Sequence, residues 1–378
     1  MMNRVYTAVA RGHQWLQAHR GCRPHLACIL GFTETGLVPG ISAAGATPDD
    51  RQTTAIADAA FLVEGVQSEP RYPLPPLVDG VSPVLVTRAI VAAQQIPTQV
   101  FAAGLPQPPP VPHVDCGGVP AACVTTGQAM ALAVAKALFE RGLHWGDRLA
   151  QGPDADYLIL GECVVGGTTT ALALLLGLGW PVSGKVSSSH PTCNHAQKQA
   201  IATTGLARAK ARLGSYPSPL EVVAAIGDPM QIVVAGMAIA ASRHGGVLLA
   251  GGTQMLAVYA LARALTQYYQ LSWQPHQIVV GTTRWVAEDA TCDVVGIANL
   301  VGPVPLVASQ LSFAQSQYAA LRRYEAGFVK EGVAAGGCAI AGHLYQNWQQ
   351  PQFLHAIESL YRAMQRSPAQ CIPSNYDQ

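Results

Sequence analysis

The chain has 378 residues, of which 49% are hydrophobic and 12% charged, with a formal net charge of +1. That is long enough to bury a sizeable core and too apolar for a disordered chain. Without a Lys/Arg run or interleaved basic and aromatic residues, it predicts no nucleic-acid surface.

Met1 to Arg20 carries charges and histidines but no apolar stretch of about 7–15 residues, so no signal peptide is expected. The longest strongly apolar runs, such as 171–180, fall short of the ~20 residues of a membrane helix. Nine cysteines without a Cys-x-x-Cys pair read as buried free thiols of a reducing, cytoplasmic compartment.

In chain order, 25–32 reads as a first buried strand, followed by a Gly/Pro loop over 33–48 and a helix from Pro48-Asp49-Asp50 to about Glu64. Turn chemistry at Asp79-Gly80-Val81-Ser82-Pro83 precedes a helical run to about 95, and 97–104 is a strand. Residues 105–122, with a proline cluster and paired glycines, read as a binding loop. A helix over 125–141, a strand over 156–160, and helices over 171–178, 191–213 and 230–243 follow. Strand 246–250, helix 253–266, strands 277–281 and 304–309, and helix 317–326 continue the alternation, and 353–364 reads as an amphipathic tail helix ended by Pro368. Short apolar strands alternating with helices predict an α/β fold, a parallel sheet with helices on both faces. Ligands in such folds gather at the carboxyl ends of the strands.

The most informative stretch is Gly161-Glu162-Cys163-Val164-Val165-Gly166-Gly167-Thr168-Thr169-Thr170, directly behind an apolar strand. A helix opening with small residues offers unpaired N–H groups to an anion, and the glutamate adds an acid, base or cation stabiliser. An ordinary strand-to-helix turn would look similar. A second carboxylate, Glu331, stands in Val329-Lys330-Glu331-Gly332-Val333-Ala334-Ala335-Gly336-Gly337 at what reads as a helix start, where the helix dipole alone would favour it. Lys198 reads on its own as a solvated helix lysine. The near-match to a phosphate loop at 179–186 fails, because Val186 replaces the magnesium-binding hydroxyl and Pro181 removes a donor. His190 and His195 lack metal-ligand spacing, and neither a serine-hydrolase elbow nor a dinucleotide signature is present, so no metal and no cofactor is expected.

Taken in order from about Asp79 to His343, these segments resemble the nicotinate-nucleotide–dimethylbenzimidazole phosphoribosyltransferase family, in its shorter cyanobacterial and archaeal branch. Gly80-Val81-Ser82 with Val86-Thr87, Gly161-Glu162 with Gly166 and Thr168-Thr169, Val247 to Gly251, and Lys330-Glu331-Gly332 with Ala334-Ala335 carry the likeness. The resemblance implies transfer of 5-phosphoribosyl from nicotinate mononucleotide to a benzimidazole or adenine-type base, giving an α-ribotide for the cobamide lower ligand. It implies Glu331 as general base, Glu162 as the carboxylate at the ribose, and Gly166, Gly167, Thr168, Lys198, Ser82 and Gly332 as substrate contacts. It also implies a homodimer and one unit over 1–378, with an α/β core at about 25–345 and helical accessory parts at about 1–24 and 346–378.

The chain departs from the family at Cys163-Val164-Val165-Gly166-Gly167, where a glycine and an asparagine are lost, and at Ala250, where the family has an acid. Two other readings stand beside this one: a nucleotide-binding protein without turnover, which the changes at Val164 and Gly167 motivate, and a relative that hydrolyses its nucleotide.

Overall fold

The computed structural model describes residues 2–77, 79–153 and 156–367. Pro368, the expected stop of the tail helix, and Cys371 lie outside the described residues. An eight-stranded sheet runs through the molecule, with β1 (Asn3–Val5), β2 (Pro24–Gly31), β3 (Thr98–Gly104), β4 (His113–Asp115), β5 (Tyr157–Cys163), β6 (Gly246–Ala250), β7 (Ile278–Thr283) and β8 (Leu306–Ser309). The order is β1-β8-β7-β6-β5-β2-β3-β4. Every pairing is parallel except β1 with β8.

The strands are apolar almost throughout because both sheet faces are covered. On β2, Ala27 and Ile29 enter one core while Leu26, Cys28 and Leu30 enter the other. Helices Leu132–Ala150, Gly167–Gly177, Pro229–Ala241 and Gly252–Tyr269 fill the first core. Helices Pro48–Glu64, Val84–Ala93, Ala335–Gln346 and Gln350–Gln365 fill the second. The tail helix buries Phe353, Ile357, Tyr361 and Met364, one stripe at helical spacing.

Local chemistry accounts for the best-defined helix starts. Thr47, Ser218 and Asp228 each cap a helix opened by proline, with Asp50, Glu221 and Gln231 completing reciprocal capping boxes. The small-residue helix Pro229–Ala241 is crossed closely by Leu132–Ala150. A Cβ on Gly142 would lie 2.3 Å from Val233 O, and one on Gly146 2.4 Å from Met237 O.

Several elements differ from the sequence expectation. The helix expected over 125–141 spans Leu132–Ala150, because 124–131 is occupied by a short 3-10 turn and Gly127 in left-handed backbone. The loop after β3 contains the short strand β4. The first residues add β1 and helix Val9–Ala18, so this end contributes an edge strand as well as a helix. Helices Pro219–Ile226 and Val294–Val301 were not anticipated, and the one expected over 317–326 is a single turn, Ala319–Arg322. Among the described residues no helix is long and apolar enough to cross a membrane.

From β2 the chain winds outward through β3 to β4, and from β5 outward the other way through β6 and β7 to β8. β2 and β5 are therefore neighbours at the point where the winding reverses, with Ile29 opposite Glu162. Such a reversal leaves a crevice at the carboxyl ends of the two strands.

Candidate active site

A cavity opens at that crevice. Glu162, Gly166, Gly167, Thr168, Ser82, Glu331 and Gly332 all line it, together with Asp58, the serines 187–189, Gln254 and Lys330. The two glutamates singled out in distant parts of the sequence thus face one space.

Glu162 lies one residue before the end of β5, in the strand itself and not in the loop that follows it. Its side chain is 2% exposed, and Val164 N donates to Oε2 at 3.2 Å. Burial first, then the charges of Glu331 and Asp228, push its carboxyl up to about 8, against smaller opposing effects from Val164 and Gln254. At neutral pH Glu162 in the free protein therefore holds its proton. Asp228, which accepts from Thr170 Oγ1 at 2.5 Å and caps helix Pro229–Ala241, is itself raised to about 6 by burial.

Glu331 is held differently. Oε2 accepts from Thr282 Oγ1 at 2.9 Å and Thr283 N at 2.8 Å, and Oε1 from Gly332 N at 3.2 Å and Gly336 N at 3.0 Å. Four donors match the four lone-pair positions of a carboxylate and favour its charged form. Burial still leaves its pKa raised, with these hydrogen bonds opposing the shift. Two of the donors lie at the end of β7, and Gly336 belongs to the first turn of helix Ala335–Gln346. The glutamate precedes that helix by four residues, so the expected helix-start anion and the candidate catalytic carboxylate are the same group.

Glycine is required where the loop after β5 turns. Gly166 has φ +83°, and a Cβ there would lie 2.9 Å from the Gly36 backbone. A Cβ on Gly167 would meet Gln254 Oε1 at 1.7 Å. Val164 turns its side chain into the first core near Gly31. Ser82 Oγ donates to Asp58 Oδ1 at 2.8 Å, and Gly332 packs near the Pro83 ring.

Lys198 is not a solvated helix lysine. It is fully buried behind the cavity wall and donates from Nζ to Ser187 O at 2.5 Å, with its pKa pushed down to about 8 by burial. Sequence reasoning missed Asp58, whose carboxyl burial raises to about 6, and the buried ion pair of Lys330 Nζ with Asp289 Oδ2 at 2.5 Å. The available signal for Asp58 was a lone carboxylate at helical spacing with Thr54, Ala55, Phe61 and Leu62, all buried.

The sequence profile of a phosphoribosyltransferase family matches residues 85–276. UPF0284 proteins from Microcystis aeruginosa and Cyanothece sp. are 59% and 61% identical to this chain. Both alignments cover 95% of it, and 98% and 96% of the respective relatives. The chain belongs to this phosphoribosyltransferase family, beside the cyanobacterial UPF0284 proteins. The nicotinate-nucleotide-dimethylbenzimidazole phosphoribosyltransferase from Thermus thermophilus shares the fold of this family member. Its TM-score is 0.55 at 19% identity, covering 94% of this chain and 88% of that one. The profile-matched span carries Glu162, Gly166, Gly167, Thr168 and Lys198, whereas Ser82, Glu331 and Gly332 reach the cavity from outside it.

Proposed function

We propose that this phosphoribosyltransferase moves 5-phosphoribosyl from nicotinate mononucleotide to a benzimidazole or adenine-type base, with inversion to the α-ribotide. The observation that supports this best is the pair Glu162 and Glu331, both buried in one cavity wall, with Glu331 held by four hydrogen-bond donors and Glu162 beside the Val164 N–H. The unequal hydrogen bonding favours the charged form of Glu331 more than that of Glu162, which suits the two carboxyls to different tasks.

In nicotinate mononucleotide the ring nitrogen is already cationic. When its bond to the anomeric carbon breaks, the electron pair returns to that nitrogen, and the ring leaves neutral without an acid. The cost lies in the cationic ribosyl centre. A carboxylate fixed beside it lowers that cost, and this is the role given to Glu162. A cation next to Glu162 favours its ionised form, so the substrate itself draws the proton off a group that is neutral beforehand.

The accepting base attacks from the opposite side with one ring nitrogen and must lose the proton on the other. Glu331 takes that proton as general base. Of its four donors, three are backbone N–H groups and only the Thr282 hydroxyl can rotate away to free a lone pair. Ser82 and Asp58 line the same space, where a base bearing N–H groups would find an acceptor. Aligning both reactants contributes on the order of 7–11 kcal/mol to such a reaction.

The test incubates pure protein with nicotinate mononucleotide and, in turn, dimethylbenzimidazole and adenine. Free nicotinate with an α-ribotide in equal amount is expected. Ribose 5-phosphate as the sole sugar product would replace this reading with hydrolysis. Mononucleotide binding without nicotinate release from any base would replace it with a binding role.

A further inference from the structure

Behind the cavity wall lies a cluster that the transfer chemistry does not use. Cys193 lies just ahead of the helix His195–Leu213, and Cys292 just ahead of the helix Val294–Val301. Their sulfurs and a carboxylate oxygen of Asp289 lie within 4.8 Å of one another. The Thr291 hydroxyl is 3.2 Å from Cys193 Sγ and 2.8 Å from Asp289 Oδ1, and Thr291 N donates to the same oxygen at 2.8 Å. Cys193 Sγ lies 3.8 Å from Asp289 Oδ2, which also receives the Lys330 ammonium.

Two thiols and a carboxylate are donor types that zinc accepts. The surroundings argue otherwise. Asp289 Oδ2 is already engaged by Lys330, and the charge of the fully buried Lys198 acts on both sulfurs. Ammonium groups repel a dication and favour a thiolate. Cys193 is the member held below the ordinary thiol range, by its hydrogen bond with Cys292 first and then by Thr291 and Lys330 against burial and Asp289. Cys292 is raised, by the same bond and by burial. One activated thiol beside one protonated partner is the arrangement of a reactive dithiol.

The segment tied to this cluster is strained. Val329, Lys330, Val333 and Ala334 all hold left-handed backbone without being glycine, with φ of +66°, +66°, +49° and +64°. Such conformations persist only where the surroundings enforce them. The Lys330–Asp289 pair is one such tie, and Glu331 is the next residue.

We propose that Cys193 and Cys292 are a modification site for peroxides, oxidised reversibly to a disulfide whose closure slackens the Asp289–Lys330 tie at the cavity wall. Cys193 ionises and gives its proton to solvent, the thiolate attacks one peroxide oxygen, the O–O bond breaks, and the departing hydroxide takes a proton back from solvent to leave as water. The Cys292 sulfur then displaces hydroxide from the Cys193 sulfenic acid, forming the S–S bond, and that hydroxide takes the Cys292 proton. Two thiols lose two electrons, and one peroxide becomes two waters. Sulfurs closing to about 2.05 Å disturb the contacts of Cys193 with Thr291 and Asp289, and Thr291 in turn holds the Asp289 carboxylate under Lys330.

The disulfide arm of the test is independent of the phosphoribosyl-transfer reading, while the activity arm rests on it. The full chain is treated with hydrogen peroxide, free thiols are alkylated, and peptides are mapped by mass, with amide hydrogen exchange followed over 329–334. A Cys193–Cys292 crosslink reversed by dithiothreitol is expected, with several-fold faster exchange over 329–334 in the oxidised protein. Nicotinate release should fall several-fold in the oxidised wild type and stay unchanged in peroxide-treated Cys292→Ser. Alkylated or sulfinic Cys193 without a crosslink would overturn the site. So would one bound zinc per chain that protects both thiols from alkylation. A crosslink with unchanged exchange would overturn the coupling to the wall, whether or not any nicotinate is released.

Discussion

Glu162 is the residue where folding and chemistry pull in opposite directions. A carboxyl raised to about 8 from a usual 4.5 binds its proton more tightly folded than unfolded. Between those values the native state holds more protons, so this group's contribution to stability falls as pH rises toward 8. Glu162→Gln is therefore expected to raise Tm by several degrees at pH 8.5 and to change it little at pH 5, as calorimetry at the two pH values would read. The same proton blocks the proposed carboxylate role, so kcat/KM for nicotinate mononucleotide should climb with pH to a plateau above about 8. A profile flat from pH 6 to 9 would refute that role. Glu331→Gln should cost kcat about 10²–10⁴-fold while mononucleotide affinity holds, a split that single-turnover kinetics and calorimetric titration would separate. Both glutamates stand beside glycines that a plain turn or helix start would explain as well, and only the family resemblance singled them out before the fold brought them to one cavity. Asp58 was not legible in the sequence, since it sits in an alanine-rich helix 24 residues from Ser82 and only the fold joins the two. Lys198 was misread as solvated for a related reason. Its neighbours in sequence are polar, and the wall that buries it comes from elsewhere.

Among the elements, helices Leu132–Ala150 and Pro229–Ala241 pack closely. Gly142→Val places branched carbons where the Val233 carbonyl already stands, and overpacking of this kind costs about 1–3 kcal/mol or more. A lowered urea midpoint with an unchanged m-value would be the signature. The helix start at Thr47-Pro48, with its cap, proline and acids, was readable, whereas the equally capped start at Ser218-Pro219 was passed over in a short eight-residue helix. Boundaries without that chemistry were harder to place. Helix Leu132–Ala150 begins at an alanine with no side-chain cap, so alanine-rich sequence on both sides of the true boundary looked alike. β1 and β4 have three residues each, too short to show a period, and only their pairing with β8 and β3 makes them strands.

At the scale of the whole molecule, the alternation of apolar strands and helices was enough to anticipate the parallel sheet. The strand order was not, because nothing local to β2 or β5 says that they become neighbours. That adjacency draws the site from β5, from helix Pro48–Glu64 and from the turn before helix Ala335–Gln346, so no contiguous piece contains it. Saturating mononucleotide at 100 times its Kd should accordingly stabilise the full chain by about 2.7 kcal/mol in a single transition. Two transitions, with only one responding to ligand, would argue against a cooperative unit.

The amide of Gly336, in the first turn of Ala335–Gln346, points at Glu331. When the departing proton of an incoming base lands on that carboxyl, the first turn loses the anion opposite its positive end. If Glu331 is the base proposed above, the helix spine against β7 would register each turnover as a brief electrostatic loosening, with recovery waiting on deprotonation to bulk solvent. Product release and the resetting of the acid would then share one clock.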